Sequence, residues 1–239
     1  MSAGVELSAE RRARVRRAGG IALVALAVVT ASALSWRWFV EYHRNVVDDA
    51  LISMVYARRL ATGDGLVFNP GERVEGYTNF LWTVTLAPVY WLSRLFRGDF
   101  VDWCVGTSVL MSAIDLGLVA LVARRLWGDR VLPLALALGW CVLDNSYTVW
   151  AMMALEGHYV ALWVLASLAV WTSSLRHREL ATGLCLAAVP MARPDGALFV
   201  GAFALSEALH VLVPLVKRDR VLAARRLRAL ALAGGVAAA

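Results

Sequence analysis

Apolar residues in this chain come in long runs broken by short charged punctuation. The runs cover roughly residues 21–40, 79–93, 101–123, 131–149, 157–173, 180–192 and 197–216, and another begins near 229. Several approach or exceed the ~18 apolar residues that a helix needs to cross a hydrocarbon core. The strict alternation of a membrane barrel strand is absent. In lipid each spanning segment must satisfy its own backbone polar groups, so the runs predict helices. The expected fold is all-α, a polytopic transmembrane helical bundle.

Composition supports this solvent assignment. Hydrophobic residues make up 60% of the 239 positions and charged residues 18%, with ten Trp and a mean hydropathy of +0.62, too apolar for a soluble domain of this length. The net charge of +6 and pI near 9.7 do not point to nucleic acid. The basic residues sit in short clusters between apolar runs, which is a topology signal. Cys104, Cys141 and Cys185 lie far apart inside apolar stretches, which supports neither a disulfide framework nor a thiolate metal site. Pro133, Pro190 and Pro194 interrupt apolar helices, as membrane spans tolerate.

Four clusters hold 16 of the 24 Lys and Arg: Arg11 to Arg17; Arg124, Arg125 and Arg130; Arg176 and Arg178; and Lys217, Arg218, Arg220, Arg225, Arg226 and Arg228. The run from Ile21 after the first cluster lacks a small-residue cleavage site and reads as an uncleaved span. If every apolar run crossed the bilayer, the later basic clusters would fall outside. Laying 79–93 along the outer interface as a juxtamembrane helix brings them all to the cytoplasmic side. Its Asn79, Trp82, Tyr90, Trp91 and Arg94 suit the headgroup layer. The expected organisation is then a cytoplasmic basic N-terminus over 1–20, a first transmembrane helix over 21–40, an external loop over 41–100, and the remaining transmembrane helices over 101–239. The acidic residues Asp48, Asp49, Glu72, Glu75, Glu156 and Asp195 all fall on the external side.

That external loop, about sixty residues long, is too long for a mere connector. Asp48 is the expected N-cap of an amphipathic helix whose stripe is Leu51, Ile52, Val55 and Leu60, ending at Gly63. A turn at Asn69-Pro70-Gly71 leads into Glu72, Arg73, Glu75, Tyr77 and Asn79 and then the second interfacial helix. The pair forms a platform where a lipid headgroup meets water. Asp48 and Asp49 suit a helix start by their charge. They also suit a general base, or a ligand positioning a divalent cation, at the membrane surface.

The stretch from Asp48 to Trp82, with DDALI and VFNPGERVEGYTNFLW in order, resembles the first external loop of the GT-C class of membrane glycosyltransferases. Its wording is most similar to the branch containing the mycobacterial terminal arabinofuranosyltransferase. Two further segments fit, WAMMALEGHYVALW at 150–163 and MARPDGALFVG at 191–201. They resemble the family's second external motif and its Arg-Pro-(Asp/Glu) motif. The resemblance implies a GT-C type bundle with two juxtamembrane helices and a sugar, by nearness of wording to that branch arabinofuranose, taken from a polyprenyl-phosphate-linked donor. The acceptor would be a cell-envelope glycan or lipid. It implies Asp48 as catalytic base with Asp49 as partner or alternative. It further implies a multi-pass protein of the plasma membrane with the active-site loop outside. Family members run to several hundred residues, so the chain reads as an N-terminal portion of such an enzyme. Where this sequence has Gly157 and His158 after Glu156, the family pattern has Thr or Ser after the Glu and Gly before it.

Glu156, Arg193 and Asp195 lie at span ends on the side of Asp48 and are expected to converge on one cavity, where Arg193 would bind the donor phosphate. Glu75, Tyr77 and Asn79 join them as substrate-binding candidates. Arg58, with Arg59, is a candidate for phosphate or for anionic headgroups. Asp115 and Glu207 fall within spans and call for partners, each other or an Arg. His158 beside Glu156 is a weak metal signal, and no ligand set with metal spacing is present. There is no nucleotide-binding loop. A non-catalytic transport or assembly subunit for lipid-linked glycans is the alternative reading.

Overall fold

The computed structural model describes residues 2–42, 46–216 and 220–238, and among them every regular element is helical. In order these are α1 (Ser2–Glu41), α2 (Asp48–Thr62), α3 (Phe80–Leu95), α4 (Phe100–Trp127), α5 (Val131–Leu143), α6 (Asn145–Met152), α7 (Gly157–Trp171), α8 (Arg178–Ala192), α9 (Ala197–Val216) and α10 (Arg220–Ala238). A single 3-10 turn at Pro194–Gly196 joins α8 to α9. Among the described residues three segments are long and apolar enough to cross a bilayer: Glu10–Glu41, Phe100–Trp127 and Pro194–Leu212. The pair α6 and α7 passes the same test jointly but is bent by 115°. The chain is a multi-pass, all-α membrane bundle.

One expectation is corrected. The apolar run 131–149 is not one helix: α5 stops at Leu143, and Asp144 caps a new helix by accepting from the Ser146 N–H at 3.0 Å. The polar triplet Asp144-Asn145-Ser146 offers the backbone that alternative partner, so the ladder breaks there. Another correction concerns Asp48. The N-cap of α2 is Val47, with extended dihedrals, and Asp48 is already the first helical residue. Both aspartates therefore occupy the first turn, where the helix dipole favours them, and neither caps it. The other end of α2 is as expected: Gly63 adopts φ 90°, a left-handed cap that glycine reaches without strain.

Two cores hold the helices together. Where α1, α4 and α5 meet, Ala27, Ala31, Ala120 and Ala123 are buried beside Leu116, Leu134 and Leu138. Small residues let membrane helices approach closely enough for dispersion contacts to replace the missing hydrophobic drive. The larger core joins the first-loop helices to the bundle through Trp82, Leu86, Met54, Met152 and Tyr159. Trp82 is fully buried and its indole N–H donates to the Ala154 carbonyl at 3.3 Å. Thr85 bonds Tyr159 at 2.8 Å, and Trp91 donates to the Ala61 carbonyl at 2.9 Å, tying α3 back to α2.

The bundle has two chemically distinct ends. At one, Arg17 lies 3.9 Å from Asp129 and Arg125 donates to Thr172 at 3.3 Å. Close by, Arg178 and Arg226 line a cavity with Trp171, Glu207 and His210. Members of all four basic clusters thus share this end, although Lys217 and Arg218 lie outside the described residues. Following α7 or α8 to its other end leads to the acidic motifs.

Candidate substrate cavity

Successive residues on a helix point ~100° apart, so Asp48 and Asp49 cannot face the same way. Asp49 shares its face of α2 with Ile52 and Ser53, three and four residues on, and these three line a cavity of about 410 Å³. Gly76, Tyr77, Thr78 and Asn79 form its second wall, and Trp150, Leu155, Glu156 and Arg193 its third. Four stretches of the chain, 49–53, 76–79, 150–156 and residue 193, therefore meet at one place.

Asn79 is the hub. It is 5% exposed and sits just before α3, where its side-chain oxygen accepts from Ser53 and from Thr83, each at 3.0 Å. With the carbonyl side occupied, the amide nitrogen is directed at Glu156 and donates to Oε2 at 2.8 Å. The other carboxylate oxygen, Oε1, accepts from Arg193 Nη1 at 3.1 Å. Glu156 is 6% exposed, and a buried carboxylate is tolerable only with partners on both oxygens, which it has. Arg193 in turn places Nε 2.9 Å from Asp195. Two of its five N–H groups are used this way, and its side chain is half exposed toward the cavity.

The loop wall is fixed by Tyr56. Its hydroxyl donates to the Val74 carbonyl at 2.8 Å and accepts from the Gly76 N–H at 2.9 Å. Its ring meets Tyr77 edge-on at 4.7 Å. Burial, with the nearby Glu75 charge second, pushes the Tyr77 phenol above its ordinary range, so it remains a neutral hydroxyl. The Glu156 wall hangs on a bend at Ala154, which is fully buried with φ 55°. That left-handed geometry is strained for a residue with a Cβ.

Among the described residues neither Asp48 nor Asp49 has a hydrogen-bond or ion-pair partner, and both are exposed. Asp49, without a partner among the described residues, thus lies on the wall of a cavity whose other lining carboxylate, Glu156, is tied down. Of the residues singled out in the sequence, Asp49, Tyr77, Asn79, Glu156 and Arg193 line the cavity, and Asp195 joins through Arg193. Asp48, Glu75 and Arg58 are exposed outside its lining. Ser53, Thr78 and Trp150 line it and were not foreseen. Ser53 was legible in principle, being one helical turn after Asp49. Glu207 bonds the Trp171 indole at 3.0 Å, and Asp115 pairs with His158, so among the described residues neither intramembrane acid meets an Arg or the other acid. Among the described residues no group of three or more His, Cys, Asp or Glu is placed to hold a metal ion.

Comparison with known proteins agrees with the first-loop wording. Terminal beta-(1->2)-arabinofuranosyltransferase of Mycobacterium tuberculosis is 31% identical over 196 residues, covering 77% of this chain and 28% of that protein. The enzyme of the same name from Corynebacterium glutamicum is 32% identical over 136 residues, 48% of this chain and 20% of that protein. The chain thus spans under a third of the length of the curated relatives it matches. No protein-family profile and no solved structure matches it. Over most of its length the chain is thus similar to a member of the terminal arabinofuranosyltransferase branch.

Proposed function

We propose that this chain, as a homologue of that branch, carries the base-bearing half of a glycosyl-transfer site of GT-C type. The sugar would come from a polyprenyl-phosphate donor, arabinofuranose by analogy with the relatives, and pass to a cell-envelope glycan or lipid. The observation that carries the reading is the carboxylate of Asp49, unpaired among the described residues, in one cavity with the hydrogen-bonded set Asn79, Glu156 and Arg193.

In this reading Asp49 takes the proton from the acceptor hydroxyl as its oxygen attacks the anomeric carbon. The bond from that carbon to the phosphate oxygen breaks, and the polyprenyl phosphate leaves with the electron pair. A phosphate monoanion or dianion is a good leaving group and needs little acid assistance, so one base suffices. The unused N–H groups of Arg193 would stabilise the charge growing on the phosphate. Tyr77 and Trp150 offer aromatic faces, and Asn79, Thr78 and Ser53 offer polar groups, a mixture suited to a sugar ring. Asp48, one position earlier and exposed, is the alternative base.

The sharing of one bundle end by the basic clusters supports a topology with that end cytoplasmic and the cavity at the outer face of the plasma membrane. The test is transfer from a radiolabelled polyprenyl-phosphate sugar by the protein in membranes. Asp49→Asn is expected to abolish transfer with donor binding retained. Full transfer by Asp49→Asn, with loss in Asp48→Asn, would move the base to Asp48. Donor binding without turnover in the unaltered protein would favour a lipid-glycan transport or assembly role.

A further inference from the structure

Two residues beyond Glu156 the chain turns the opposite face to the bundle. Residues 156 and 158 point ~200° apart, so while Glu156 faces the cavity, His158 faces α4. There His158 is 5% exposed and Asp115, midway along α4, is 1% exposed. Nδ1 of His158 lies 3.0 Å from Asp115 Oδ2, and Nε2 lies 2.9 Å from the Tyr147 carbonyl. A carbonyl only accepts, so Nε2 carries a hydrogen, and a single proton occupies the gap between Nδ1 and Oδ2. The hydroxyl of Tyr147 donates to the Ser112 carbonyl, one turn before Asp115 on α4, and its ring packs edge-on against His158 at 4.6 Å.

These contacts join α4 to both limbs of the 115° bend, at Tyr147 on α6 and His158 on α7. Between the limbs lie the left-handed Ala154 and Glu156. A buried ionisable pair is an expensive way to stabilise a membrane bundle, since apolar packing of the same volume does as well. Among the described residues Asp115 Oδ1 even lacks a partner. What the pair supplies that apolar contacts cannot is direction, because each bond fixes an atom to an atom.

We propose that His158 and Asp115 are positioning residues that clamp the α6–α7 bend to α4 and thereby hold the Glu156 carboxylate in register with Asn79 and Arg193. The proposal rests on the reading of that cavity as the substrate site, and it makes a structural claim that holds or fails without any transfer assay. Asp115→Asn separates position from charge. Its amide donates to Nδ1 of a neutral imidazole while Nε2–H still serves Tyr147, so every bond is kept.

The experiment is hydrogen–deuterium exchange on the whole protein in lipid nanodiscs, followed by donor kinetics. In Asp115→Ala and His158→Ala, exchange over 145–160 is expected to rise about tenfold or more, the worth of one lost buried hydrogen bond. Exchange in α10, which packs on α8 and α9, should stay unchanged as the folding control. Asp115→Asn should match the unaltered protein. Tyr147→Phe, which removes only the bond to Ser112, should give a smaller rise in the same segment and serves if the alanine variants do not accumulate. In kinetics the alanine variants should raise KM for the donor more than they lower kcat, with Asp115→Asn restoring KM. Unchanged exchange over 145–160 in all of these variants, or an Asp115→Asn as disordered as Asp115→Ala, overturns the clamp. Failure to detect transfer in the unaltered protein would count against the cavity's function and leave the exchange result standing.

Discussion

Asn79 donates to Glu156 at 2.8 Å across 77 residues of sequence, and together with the Trp82 bond to the Ala154 carbonyl this joins the first loop to the α6–α7 bend. Because the Asn79 oxygen is already bonded to Ser53 and Thr83, the amide has one orientation. Asn79→Ala therefore strands a buried carboxylate oxygen and is expected to destabilise the protein by about 1–3 kcal/mol. Asn79→Asp should be worse, since it sets two carboxylates against each other. Thermal unfolding in detergent checks both, and equal melting temperatures for Asp and Asn at this position would refute the arrangement.

Arg193 serves two acids at once, Glu156 through Nη1 and Asp195 through Nε. An ammonium has no planar fork to reproduce that geometry. Arg193→Lys is expected to lower kcat/KM for the donor about tenfold or more, the scale of one lost charge-assisted bond. Near-full activity in the lysine variant would remove the planar contact from the mechanism.

Gly76 is required by its neighbour. A Cβ placed there would lie 2.9 Å from the Tyr56 hydroxyl, which the Gly76 N–H already uses. Gly76→Ala should displace the loop and cost about 1–2 kcal/mol. In a Tyr56→Phe background the same substitution should cost less, and a double-mutant cycle on unfolding free energies measures the coupling. Strict additivity would show that the clash is relieved elsewhere.

Sidedness is open to labelling. Val74 on the first loop and Leu175 in the turn after α7 are both well exposed at opposite ends of the bundle. With Cys104, Cys141 and Cys185 replaced by Ala, a cysteine at position 74 should react with an impermeant maleimide on whole cells. One at position 175 should react only after permeabilisation. The reverse pattern would invert the proposed topology.

Apolar run length, basic punctuation and capping chemistry act within a few residues, so the sequence by itself determined the helical membrane class and the stop of α2 at Gly63. Even the division of 131–149 has a local cause in Asp144-Asn145-Ser146, an alternative backbone partner inside an apolar run. The candidate residues Asp49, Asn79, Glu156 and Arg193 were legible as residue types in motifs. Their assembly was not, because the bonds from Asn79 to Glu156 and from Arg193 to Glu156 join separate elements and depend on orientation. Helix phase put Asp49 rather than Asp48 on the cavity wall. The strained Ala154 bend, which no residue preference announces, aimed Glu156 at Asn79. Only the tertiary structure matched Asp115 with His158, since a buried ionisable group states its need for a partner but not which of many distant residues the packing brings within 3.0 Å.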